Sequence, residues 1–221
     1  MNTTTHKMAE RQNLETKGRT IRWARHYDMV VRLMLLGKDK ALRNAAADLA
    51  HIKPNDIVLD VGCGTGDLTF AAKSRAGSSG KVYGIDAARE MIEVARAKAT
   101  RQGVDIDFKV ELIEKLSFLD NTFDVLLSSL MMHHLPEDVK RAGLREIYRV
   151  LKPGGRLLVV DITRPTAFHN RLLMAALLHS GIENGTQELS AMMTNVGFTH
   201  VEEGHIRLLP MLGFVRAERD K

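Results

Sequence analysis

The chain has 221 residues, 44% of them hydrophobic and 27% charged, and a net charge of +5 at neutral pH. That composition belongs to a globular domain able to bury about 70–75% of its unfolded surface in one core, and no apolar run reaches the roughly 18 residues of a membrane span. The N-terminus lacks the apolar centre of a secretory signal, and Cys63 is the single cysteine, so no internal disulfide forms and a reducing, cytoplasmic compartment is expected, with peripheral contact to an anionic membrane allowed by the charge but not demanded by it.

In chain order, residues 1–18 are polar and read as poorly ordered. Residues 19–28 (RTIRWARHYD) set Trp23 and Tyr27 one helical turn apart among arginines at every third position. This segment reads either as a solvated basic face or as a lid or membrane-facing helix. Residues 29–36 form an apolar helical stretch ended by Gly37, and residues 38–51 an alanine-rich helix with Leu42, Ala45, Ala46 and Leu49 on one face. Strands are expected near 57–61, 81–85, 106–110, 123–128 and 156–161. Helices are expected at 68–75, 88–102, 136–150 and 188–196. Lys152, Pro153, Gly154 and Gly155 read as a tight turn into the fifth strand, and a final antiparallel pair starts at Gly197–Phe198, its second strand drawn from residues 206–215. Alternating strands and helices specify a doubly wound α/β sheet. Residues 1–37 are then an N-terminal helical extension or lid. Residues 38–221 are the main domain, with an insertion at about 164–185 whose apolar helix (168–179) is read as a substrate cap packed on residues 29–36 or as a core extension.

The stretch at 57–70, IVLDVGCGTGDLTF, carries the most chemistry. An apolar strand ends at Asp60 and turns through Gly62, Gly64 and Gly66, which strip side chains from the bend so that a ligand can lie against bare backbone. The first amides of the following helix are expected to point at that ligand. The dinucleotide pattern G-x-G-x-x-G is not met, because the third glycine comes one residue early and Asp67 stands where glycine is wanted; no lysine follows Gly66, so a P-loop is excluded. Carboxylates at Asp60 and Asp67 suit a ligand with a cationic end better than a pyrophosphate. Asp86, about 20 residues beyond the turn, closes the second strand, where an acid can hold two ribose hydroxyls or cap the next helix.

DVGCGTGDL resembles motif I of the class I S-adenosylmethionine-dependent methyltransferases, and LKPGGRLLVVD resembles the family's run into its fifth strand. The resemblance implies a seven-stranded Rossmann-like sheet with the last strand antiparallel, S-adenosylmethionine as cofactor, and in-line transfer of its methyl group. Carried over position by position, it implies cofactor contacts at Asp60, Gly62, Cys63, Gly64, Gly66, Asp86, Ala87 and Met91, with Ser128 and Ser129 facing the methionine part. Leu112 stands where the family often places an aspartate for the adenine amino group. Leu112 and Ile113 would then hold the ring by apolar contact and a backbone amide, with Glu111 as a substitute acid. Alignment of the catalytic donor and acceptor alone supplies much of such a reaction, so a base is optional. The candidates are His133, His134, Asp161 and Tyr27. No metal is expected, since adjacent histidines leave a helix on different sides and no further ligands are spaced for one.

The string GTGDLT, the Tyr27–Asp28 pair and the apolar cap look closest to the ubiquinone/menaquinone C-methyltransferase group, implying a small, apolar or aromatic acceptor. A phospholipid or amine N-methyltransferase and a non-catalytic S-adenosylmethionine-binding protein are the alternatives. The Asn/Asp-Pro-Pro-Tyr signature is absent after the fourth strand, where the chain reads SSLM, so a nucleic-acid partner is not expected.

Overall fold

The computed structural model describes residues 17–18, 24–163 and 186–221. The cap at 164–185 and the Trp23 end of the basic segment lie outside the described residues. Seven strands, β1 (Ile57–Val61), β2 (Lys81–Asp86), β3 (Asp107–Val110), β4 (Phe123–Ser129), β5 (Leu151–Ile162), β6 (Phe198–His205) and β7 (Leu212–Arg219), make one sheet in the order β3-β2-β1-β4-β5-β7-β6. The pairs among β1 to β5 are parallel, and β7 runs antiparallel to both β5 and β6.

Helices cover both faces: α1 (Ala24–Met34), α2 (Asp39–Leu49), α3 (Asp67–Ala76), α4 (Arg89–Gln102), α5 (Glu137–Val150) and α6 (Thr186–Val196). Because strand side chains alternate, Leu59 and Val61 of β1 pack with Leu144 and Ile147 of α5 and Met193 of α6, while Val58 packs with Leu42, Ala46 and Ala72 of α2 and α3. Both faces being covered explains why the central strands are continuous apolar runs. α4 ends at Gly103 in the left-handed conformation (φ 63°), its N–H closing on the last turn, as glycine allows at low cost.

Three expectations need correction. Residues 152–155 do not form a turn ahead of a short strand. Leu151 already pairs with Phe123, and the ladder resumes at Val125 with Arg156, so the Pro-Gly-Gly segment is a bulge inside one long strand. The last strand starts later, because residues 206–211 close a turn in which Ile206 N–H donates to Leu212 O and Leu209 N–H to Ile206 O. His133 and His134 do not diverge on a helix: they sit on a 3₁₀ turn, Met132–His134, with ring centroids 3.9 Å apart.

Candidate functional site

Strand order reverses between β1 and β4, and the crevice beyond their carboxyl ends is where doubly wound sheets bind ligands. A cleft of about 730 Å³, counted with its open mouth, occupies that place. Tyr27, Gly62, Gly64, Asp86, Ala87, Met91, Leu112, Ile113, Ser129 and His134 line it. Asp60, Cys63, Gly66, Ser128, His133 and Asp161 stand behind its walls rather than among the lining residues.

Gly62, Gly64 and Gly66 all have positive φ (70°, 54° and 89°). A Cβ on Gly62 would lie 2.3 Å from Met131 Cγ, and one on Gly66 would lie 2.9 Å from Phe108 Cζ; at Gly64 it would meet only Tyr27, at 3.7 Å. The turn is therefore bare for two reasons, packing at its ends and access at its centre. The amides of four turn residues are engaged within the protein. Gly62 and Cys63 donate to Ile85 O, Gly66 donates to Cys63 O, and Gly64 donates to Asp86 Oδ2 at 2.9 Å. With those donors engaged, the bend is a poor phosphate cradle, in keeping with a ligand that is cationic there. The Cys63 side chain packs with Ile92, Ala95 and Phe108, away from the cleft, and burial holds its thiol well above the ordinary value.

Asp86 closes β2 between the glycine turn and the start of α4. Its carboxylate accepts from Gly64 N–H and from Ala88 N–H (2.8 Å), which fixes the glycine turn to the start of α4 while the group still faces the cleft. Burial raises its pKa, opposed by the two amide bonds. Asp60 is 1% exposed, accepts one hydrogen bond from Thr69 Oγ1 at 2.7 Å, and is pushed by desolvation up to about 6.

At the other end, Leu112 and Ile113 face the cleft as expected, flanked by Glu111 and Glu114. Glu111 accepts the Ser117 amide with Oε1, but its Oε2 and the Oε2 of Glu114 are buried without a partner among the described residues. Two orphan carboxylate oxygens beside an apolar slot suit an exocyclic amino donor. The run ELIE held this signal; an acid at 114 was overlooked because the family comparison looked at 112.

The extension is clamped to the turn. Lys98 of α4, with its side chain 13% exposed, pairs with Asp28 Oδ2 (2.6 Å) and Asp67 Oδ1 (2.8 Å), and Thr65 donates to Asp28 Oδ1. Ala24 packs on Ala88 and Met91. Tyr27 is thereby laid over Gly64, and burial raises its phenol, so at neutral pH it is a donor. The outward side of α1 and its C-terminal turn expose Met29, Leu33, Met34 and Leu36, each at least 60% exposed. Sequence reasoning also passed over Arg43 of α2, whose Nη1 donates to Ser129 Oγ at 2.8 Å.

Two residues behind the His134 wall of the cleft form a pair. Buried Asp161 at the end of β5 accepts His133 Nδ1–H at 2.6 Å and the His133 amide at 3.0 Å. That bond fixes the ring, leaves Nε2 as the basic nitrogen, and sets His133 against His134, which lines the cleft.

Comparison with known proteins gives a consistent family signal. A model described as a methyltransferase domain matches residues 58–155. The ubiquinone/menaquinone biosynthesis C-methyltransferase of Hydrogenovibrio crunogenus is 37% identical over 145 residues, which are 65% of this chain and 56% of that protein. The corresponding protein of Stenotrophomonas maltophilia is 38% identical over 146 residues, 65% and 57%. The chain thus spans a little over half the length of these curated relatives. Among solved structures, a SAM-dependent methyltransferase from Aquifex aeolicus superposes with a TM-score of 0.66 at 24% identity, over 85% of this chain and 92% of that one, a likeness of fold.

Proposed function

We propose that the chain is a class I S-adenosylmethionine-dependent methyltransferase that moves the methyl group of S-adenosylmethionine to a small acceptor that is apolar or aromatic and quinone-like, a reading supported by the methyltransferase-domain match over residues 58–155 and by the C-methyltransferase relatives. The observation carrying the proposal is the cleft at the crossover of β1 and β4, with a bare glycine floor and a carboxylate at Asp86. The residues fit the cofactor. Asp86 retains acceptor capacity for ribose hydroxyls, and Leu112 and Ile113 offer flat apolar contact to adenine, with the orphan oxygens of Glu111 or Glu114 for its amino group. Bound there, S-adenosylmethionine supplies an electrophilic methyl on a sulfonium, with S-adenosylhomocysteine as the leaving group.

The remaining work falls to the chain. The walls align the acceptor and exclude water. An aromatic carbon that gains a methyl must lose a proton, and His134, which lines the cleft against the Asp161-oriented imidazole of His133, takes that proton. The exposed apolar residues of α1 and its C-terminal turn give the protein, working in the cytoplasm, a way to meet a long-tailed acceptor at a membrane surface.

Titration calorimetry with S-adenosylhomocysteine, followed by turnover on a panel of hydroquinones, phenols and amines, tests the proposal. Binding is expected for the wild type and is weakened by roughly 1–3 kcal/mol in Asp86→Ala, through the lost charge-assisted hydrogen bonds. Methylation is expected on the hydroquinones. Binding without turnover on any acceptor favours a non-catalytic protein, turnover on amines alone favours the N-methyltransferase, and no binding removes the family activity.

A further inference from the structure

α1 departs from the pattern of an ordinary surface helix. Ala24, Tyr27, Val31 and the following Leu35 face the protein, and Asp28 is tied to Lys98 and Thr65. The opposite side of such a helix is expected to be polar. Here it carries Met29 and Leu33, with Met34 and Leu36 beside them, all 60–79% exposed. A second element extends the patch. The turn at residues 206–211 exposes Met211 and touches the end of α1: Leu208 and Leu209 pack in one cluster with Val31 and Leu35, and Lys38 Nζ donates to Leu208 O at 3.4 Å. Leu119, the other large apolar side chain exposed among the described residues, precedes β4 at the far end of the sheet. Single exposed apolar residues need no account, but a cluster confined to one rim does.

Place and charge name the occupant. Ile162 at the end of β5 pairs with Leu212 at the start of β7, so the 206–211 turn stands at the carboxyl end of β5. The cleft opens at that same end of the sheet, and α1 itself brings Tyr27 to it. Arg32, Lys38, Lys40 and Arg207 border the patch, all of them exposed, and none forms an ion pair with a carboxylate among the described residues. The acids in the same stretch are engaged elsewhere: Asp28 is held by Lys98 and Thr65, and Asp39 sits in the first turn of α2, where the helix dipole favours it. Apolar side chains free to insert, bordered by uncompensated cations, are the pattern of an interfacial helix on an anionic bilayer. A second copy fits less well, because pairing through this patch would bring two sets of the same cations together.

We propose that α1 and the 206–211 turn dock the protein on an anionic lipid bilayer, with Leu33 and Leu36 inserted and the rim of the cleft turned to the membrane. The docking takes its purpose from the apolar acceptor of the proposed function: an acceptor that stays in the lipid reaches the cleft without crossing water. The contact itself needs neither cofactor nor acceptor.

Flotation of the full chain, without cofactor, on vesicles of phosphatidylcholine alone and of phosphatidylcholine mixed equally with phosphatidylglycerol tests this. The wild type is expected to float with the anionic vesicles, to stay behind with the neutral ones, and to be released by raised salt. Lys38→Gln and Arg207→Gln should each weaken binding by about fivefold, the worth of one cation near such a surface. Leu33→Gln combined with Leu36→Gln should weaken it by roughly 10- to 100-fold while leaving S-adenosylhomocysteine affinity unchanged, since both side chains point to solvent and neither lines the cleft. No binding to either vesicle overturns the proposal, as does equal binding to both or binding that survives the double substitution. A dimer in sedimentation velocity that the double substitution dissolves, without vesicle binding, gives the patch to a second copy and overturns it too. Turnover on hydroquinones without vesicle binding refutes the docking alone, whereas vesicle binding without turnover on any acceptor supports the docking and refutes the acceptor reading.

Discussion

Asp60→Asn separates what the fold pays at the site from what the ligand gains. The Asp60 carboxyl is buried at the end of β1, has Thr69 as its one hydrogen-bond donor among the described residues, and titrates near 6 instead of 3.8 because burial penalises the charge. A carboxyl with a raised pKa in the fold binds more protons folded than unfolded between those two values, so its contribution to stability falls as pH rises through that window and is level above it. The gap of 2.2 units between 3.8 and about 6 corresponds to about 3 kcal/mol of lost stability above pH 7. About 2 kcal/mol of this develops between pH 4.5 and 7.5. Asparagine keeps an acceptor for Thr69 and carries no charge. Urea unfolding of both proteins at these two pH values is the assay. The stability of Asp60→Asn relative to wild type should rise by about 2 kcal/mol from pH 4.5 to 7.5, whatever the absolute cost of fitting an amide there. Calorimetry at pH 7.5 should show weaker S-adenosylhomocysteine binding, since the negative charge behind the cationic end is gone. A stability difference independent of pH would refute the claim that Asp60 is ionised at a cost in the native protein.

Gly62→Ala places a Cβ 2.3 Å from Met131 Cγ on backbone at φ 70°, so urea unfolding should show a loss of about 1–3 kcal/mol together with weakened cofactor binding, because Met131 is part of the cleft wall. Gly64→Ala meets only Tyr27 at 3.7 Å and should cost the backbone strain alone; equal losses at the two positions would refute the distinction. Asp161→Asn and His133→Gln should each lower turnover on the accepted substrate by about 10²- to 10⁴-fold while leaving S-adenosylhomocysteine affinity in place. Unchanged turnover in His133→Gln would assign the pair to structure.

The sequence by itself determined the order and type of nearly every element and the place of the site. Apolar runs bounded by glycines and capped helices are local signals, written in residues that are neighbours in the chain. The glycine turn and Asp86 are of this kind, as is Leu112 facing the cleft. What it misjudged depended on partners far along the chain. The bulge at 152–155 exists because Leu151 has already paired with Phe123 of β4, and the last strand begins late because its register is set against β5 and β6. The turn amides, on which the sequence reading made no claim, are engaged by Ile85 O and Asp86 for the same reason. Only the tertiary structure could join His133 to Asp161 across 28 residues, or lay Arg43 against Ser129 across 86. A single side chain carries no periodicity to announce its partner, and hydrogen bonds and ion pairs are decided by distances of a few ångströms between segments whose meeting point is fixed by sheet order.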